Sequence, residues 1–141
     1  MAGVAAVSGT LHHVEVYVSD LQRALEFWDW ILGELGYKQY QDWPEGRSYK
    51  LGDTYLVFVQ TEPEYQDIPY HRKRTGLNHL AFWVNGQSEF SELQAELVRR
   101  KIPLLYSDNQ ANDGDYPAIF FEDPDRIKIE LVLNPPDAPP S

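Results

Sequence analysis

Three features of the sequence predict an α+β fold made of two βαβββ modules. First, the chain repeats itself. Laying Leu11-His12-His13-Val14-Glu15-Val16-Tyr17-Val18 over Leu77-Asn78-His79-Leu80-Ala81-Phe82-Trp83-Val84 matches apolar residues at most positions and sets His13 on His79. Self-similarity of this kind marks a duplicated structural unit. Second, apolar residues at helical spacing follow each copy. Third, three short runs of strand composition, separated by turn residues, follow each helix-like stretch.

Both copies of the repeat have the apolar and β-branched content of strands. After the first, Leu21, Ala24, Leu25, Trp28, Ile31, Leu32 and Leu35 form one helical face, with Ser19 and Gln22 as a capping box and Gly36 as the stop. After the second, Phe90, Leu93, Leu97 and Val98 form the face and Ser88 is the expected N-cap. The following strands are expected at 37–41, 47–51 and 55–60 in the first half, with the Gly52-Asp53 turn before the last. In the second half they are expected at 104–106, 118–121 and 127–133, with the turn at Glu122-Asp123-Pro124-Asp125. The modules therefore span 11–60 and 77–133, joined by a polar linker over 61–76. Residues 1–10 read as a flexible arm and 134–141, with four prolines, as an extended tail.

With 141 residues, the chain is sized for one domain. A net charge of −10 argues against nucleic acid or an anionic membrane as partner, since phosphate neutralisation needs a basic surface. No run approaches a membrane span and no signal peptide is legible, so a soluble, cytoplasmic protein is expected. The chain contains no cysteine, which removes thiolate metal sites, Cys nucleophiles and disulfides together. Catalysis would have to come from His, carboxylates, hydroxyls or a metal.

Strand alternation puts His13, Glu15 and Tyr17 on one face of the first strand and His79, Ala81 and Trp83 on the matching face of its repeat. Glu130 falls within Ile-Lys-Ile-Glu-Leu-Val, where a buried, unpaired carboxylate is costly. Two imidazoles and a carboxylate give it a reason to be there. They suit a divalent ion such as Zn, Ni, Co, Mn or Fe with positions left open for substrate. His12 should face away from His13, and His71 lies in the basic run His71-Arg72-Lys73-Arg74, by default a solvated loop. Trp28, Trp30 and Tyr37 suit core or subunit contact better than a ligand box.

The sequence resembles the vicinal oxygen chelate (glyoxalase/bleomycin-resistance/dioxygenase) superfamily over about residues 11 to 133. The resemblance is carried by Leu11 to Leu21, by Phe27-Trp28 with Leu32-Gly33 and Leu35-Gly36, by Gly76-Leu77-Asn78-His79-Leu80-Ala81-Phe82, and by Phe121-Glu122-Asp123-Pro124-Asp125 followed by Ile127-Lys128-Ile129-Glu130-Leu131. It implies paired modules curled into an open barrel around a metal held by His13, His79 and Glu130. A fourth ligand usually comes from the last strand of the first module. Aligning the Gly52-Asp53 turn puts Val57 there, whereas aligning Val57-Phe58-Val59-Gln60 with Ile127-Lys128-Ile129-Glu130 puts Gln60 there. One register excludes the other, and Val57 is preferred. Arg126 is a second departure, at a place where the family commonly has a small residue.

The function implied is a metal-dependent, glyoxalase-like enzyme with isomerase or lyase chemistry, acting on a small substrate chelated through neighbouring oxygens. Glu130 or Glu15 would act as the base, and Tyr17, Tyr55, Val57 and Trp83 would line the substrate. Within enzymes, the alternative is an iron extradiol-type dioxygenase. From another class, the alternative is a metal-free protein that sequesters a drug. A homodimer is expected, with Trp28, Trp30 and Tyr40 as candidate contacts.

Overall fold

The computed structural model describes residues 6–106, 112–114 and 116–134. Most of the proline-rich tail and half of the N-terminal arm lie outside these residues. The chain divides between Pro69 and Tyr70 into two units, each an α+β module of one helix on one sheet.

The first module runs β1 (His13–Val18), α1 (Leu21–Glu34), β2 (Lys38–Trp43), β3 (Gly46–Leu51) and β4 (Thr54–Gln60). Its strand order is β1-β4-β3-β2, with β1 parallel to β4 and the other pairs antiparallel. Val16 and Val18 point to the helix side and are buried with Ala24, Trp28, Ile31 and Leu32 of α1. The Trp28 indole is fully buried and stacks on Phe58 at 4.6 Å. That burial removes Trp28 from the set of possible subunit contacts; losing such a ring from a core costs about 3–5 kcal/mol.

Asp20, not Ser19, caps α1. Its carboxylate accepts from Arg23 N at 3.2 Å, while the Ser19 carbonyl is taken by the Gln60 amide. The helix ends as expected, with Gly36 at φ 96° and Tyr37 N donating to Leu32 O at 2.9 Å.

The second module repeats this plan with β5 (His79–Asn85), α2 (Gln87–Arg99), β6 (Asn112–Asp113), β7 (Tyr116–Glu122) and β8 (Lys128–Asn134) in the order β5-β8-β7-β6. Phe90, Leu93 and Leu97 of α2 are buried, but Val98 is exposed, so the apolar face is narrower than its spacing suggested. The helix starts from Gly86 rather than Ser88, because a glycine at φ 90° turns the strand directly into the helix. The strand expected at 104–106 is a single bridge from Leu105 to Phe120. Pro103 offers no N–H there, and Tyr106 turns away at φ 60°. The second strand of this module is instead the short β6. Arg126 adopts φ 68°, a backbone conformation that favours glycine and accounts for the small residue usual at that place. Among the described residues, no helix is long and apolar enough to cross a membrane.

Candidate functional site

In the second module, cross-strand register places three strands side by side in rows. One row is Glu122, Lys128 and His79; the next is Phe120, Glu130 and Ala81; a third is Ala118, Val132 and Trp83. All nine side chains share the sheet face opposite the helix. Glu130 is only 2 % exposed, and its Oε1 lies 3.2 Å from His79 Nε2. A buried carboxylate on the middle strand therefore has an imidazole nitrogen opposite it. Among the described residues, His, Asp and Glu side chains do not gather as a group of three or more that could hold a metal.

The residue preceding His79 fixes its ring. Asn78 Nδ2 donates to the Arg72 carbonyl at 3.2 Å, which leaves Asn78 Oδ1 facing His79 Nδ1 at 2.7 Å. Nδ1 must then carry a proton, and Nε2 presents either a second proton or its lone pair to Glu130. A proton makes an imidazolium–carboxylate pair. A lone pair facing a carboxylate at 3.2 Å calls for a shared cation. That donor set fits a divalent metal, and Asn78 supplies the outer support that ligating imidazoles usually have.

The first module uses the same device. His13 is the first residue of β1, as His79 is of β5, and its Nδ1 lies 2.8 Å from Nδ1 of the preceding residue, His12. The His13 ring stacks on Tyr55, its row partner, at 4.7 Å with the planes 3° apart. His12 does not face away, since its ring sits 5.1 Å from that of His13 and edge-on to Tyr55. It precedes the strand, so strand alternation does not govern it. Glu15 lies exposed in the row of Val57. Tyr17 and Trp83 are likewise exposed, at 58 % and 56 %.

Register also separates Val57 from Gln60. Glu15 pairs with Val57 as Ala81 pairs with Glu130, so Val57 holds the place equivalent to the carboxylate. Gln60 pairs with Val18, on the other face. Its Oε1 accepts from Leu21 N at 2.9 Å, and its Nε2 donates to the carbonyls of Ser19 and Thr61 at 2.8 and 3.3 Å. The preferred register with Val57 is the one observed, and the alternative that would make Gln60 a fourth ligand is not. Its amide anchors the start of α1.

The profile of the glyoxalase/bleomycin resistance protein/dioxygenase superfamily matches residues 12–120. The chain belongs to this superfamily. A solved structure from Bacillus halodurans, assigned as a glyoxalase, has 52 % sequence identity and a TM-score of 0.86, covering 90 % of this chain and 97 % of its own. YqjT of Bacillus subtilis (strain 168), an uncharacterised protein, is 46 % identical over 125 residues, 86 % of this chain and 97 % of its own. The glutathione transferase FosA of Serratia marcescens is 27 % identical over 122 residues, 86 % of this chain and 79 % of its own.

Within this superfamily fold, sequence reasoning missed the residues that support the histidines. His12 and Asn78 occupy equivalent places in the repeat, immediately before each histidine. That equivalence was the available signal. The sequence showed the basic run only as charge. Arg72 in fact pairs with Glu122 and offers its carbonyl to Asn78.

Proposed function

We propose that the chain is a metal-dependent enzyme of the glyoxalase type, with His13, His79 and Glu130 as the protein ligands and a small substrate presenting two neighbouring oxygens. The observation that carries this reading is the support of both histidine rings at Nδ1 by the preceding side chain, at 2.8 and 2.7 Å, which leaves Nε2 of each for a ligand role. The buried Glu130 facing one of those nitrogens supports it further.

The chemistry that a divalent ion supplies when bound is polarisation of substrate oxygens, so that negative charge developing on them is stabilised. The chain's own residues do the rest. Asn78 and His12 hold the ring orientations, and Glu130 is committed to the site by burial. Of the two candidate bases, Glu130 and Glu15, the exposure of Glu15 in the row next to His13 favours it as the one that takes a proton from substrate and returns it to water. The relationship to FosA makes transfer of a thiol a reaction to assay beside isomerisation and lyase chemistry. The exposed Tyr17 and Trp83 would line the substrate with Tyr55 and Val57. The active species is proposed to be a homodimer in the cytoplasm, and sedimentation showing a monomer at micromolar concentration would overturn the dimer.

Metal content decides the reading. In protein purified without chelator, His79→Ala and Glu130→Gln should each lose most of the metal the parent holds. If both retain it, the metal reading is wrong and a metal-free binding protein takes its place. Iron as the resident ion, with ring cleavage of a catechol, would turn the assignment to an extradiol-type dioxygenase.

A further inference from the structure

Lys128 stands in the same row as His79, on the same face as Glu130. The natural partner for its ammonium group would be Glu122, its neighbour across β7 and β8. That carboxylate is already engaged by two guanidinium groups, Arg72 and, at 3.3 Å, Arg126. Among the described residues, no carboxylate lies within 4.0 Å of the Lys128 ammonium. It rests instead against aromatic rings, 5.6 Å from the centres of both Tyr106 and Phe120, with the Tyr106 hydroxyl at 3.4 Å. Aromatic faces hold a cation without neutralising it. In a chain of net charge −10, a lysine held in this way beside a candidate metal ligand is available for an anion.

The other end of the face is aromatic. Trp83, two rows beyond His79, is more than half exposed and meets Tyr116 edge to face at 5.4 Å. The row between holds Phe120, Glu130 and the small Ala81, and Ala118 shares the row of Trp83. Four residue steps of extended strand lead from His79 to Trp83, a span of about 13 Å. One sheet face therefore carries a cation and the His79–Glu130 pair at one end and a pair of rings at the other.

We infer that the substrate of this site is a small organic anion with a planar or apolar body, its carboxylate oxygens received by Lys128 and its body lying toward Trp83. The inference rests on the metal-site reading for the location of the chemistry. Lys128 itself acts as a specificity-determining residue by charge and hydrogen bonding, with or without a metal.

The test uses 2-naphthoate and its neutral counterpart 2-naphthamide as probes, with the full chain both as purified and after chelator treatment. Binding is read by calorimetry and by Trp fluorescence. The parent should prefer the anion about tenfold or more in both preparations, the scale of a charge-assisted hydrogen bond. Lys128→Met should bring the preference close to one while leaving metal content unchanged, and Lys128→Arg should restore it. Trp83→Ala should weaken both probes alike. Equal affinities in the parent, no measurable binding of either probe, or a preference that survives Lys128→Met would each overturn the inference. A preference that disappears on chelation would overturn it as well, because the anion would then be bound by the metal. Failure of the metal reading shows separately, as absence of metal in the parent or its retention by His79→Ala and Glu130→Gln.

Discussion

The two modules share one strand order and one register, yet they put their acidic residue on different strands. In the first module the carboxylate is Glu15, on the edge strand β1, and its row partner is Val57. In the second it is Glu130, on the inner strand β8, and its row partner is Ala81. The edge position leaves Glu15 exposed, whereas the inner one buries Glu130 to 2 %. The difference teaches that sheet position, more than sequence neighbourhood, decides which acid is buried and which is left open to water. Position 128 changes likewise: where the first module stacks Tyr55 on its histidine, the second places a lysine.

Exchanging the row residues is the strongest way to break this comparison. Glu130→Val gives the second module the residue of the first. Metal retained on purification should drop by more than about a hundredfold, because losing even an outer partner costs about ten- to a hundredfold. Thermal melting of the metal-free protein should not fall, since replacing a buried charge by an apolar residue is often neutral or better. The converse, Val57→Glu, should destabilise the protein by about 2–4 kcal/mol in denaturant titration, because a carboxylate enters a buried place beside a histidine whose ring is stacked on Tyr55. A stable Val57→Glu variant would show that the modules are less different than their rows imply.

The preceding side chains allow a finer test. Asn78→Ala and His12→Ala should each weaken metal affinity about ten- to a hundredfold, measured by competition with a chelating dye. His12→Asn, which copies the second module into the first, should keep most of the affinity.

A smaller effect is expected at Gln60, whose equivalent by register is Leu133. Gln60→Leu should cost about 1–2 kcal/mol, read from a shifted denaturation midpoint, through loss of its bonds to Leu21 N and the Ser19 carbonyl.

The smallest effect concerns pH. Burial raises the Tyr49 phenol to about 12, whereas its equivalent in the second module is Phe121, which does not titrate. A phenol that binds its proton more tightly when folded contributes stability below its ordinary value of about 10. That contribution is lost as pH rises from there through 12. Unfolding followed between pH 9 and 12 should therefore show a decline that Tyr49→Phe flattens.

Much of this was legible in the sequence because a duplication supplies its own internal control. The match of His13 to His79 located both first strands, and the Gly52-Asp53 turn gave the correct register for Val57. Caps were misplaced where two candidate residues adjoin, as at Ser19 and Asp20, since either side chain can reach the first turn and only the surrounding bonds decide. The strand at 104–106 failed because apolar composition cannot report the left-handed turn at Tyr106. Lys128 was visible as a charge. Its role depends on Glu122 being occupied by Arg72, a residue distant in sequence, and no local pattern encodes that.

The parallel pairing of β1 with β4, and of β5 with β8, also bears on how the protein is made. In each module the first strand synthesised has the last one as its hydrogen-bonding neighbour, so nothing closes until the final strand arrives. Loop closure of that kind delays folding relative to a meander of adjacent strands. The first module has all its strands once Gln60 has left the ribosome. The second must wait for β8. A chain that stops short of Lys128 would leave β5 as a bare edge, with its main-chain groups open to pairing with any other nascent copy.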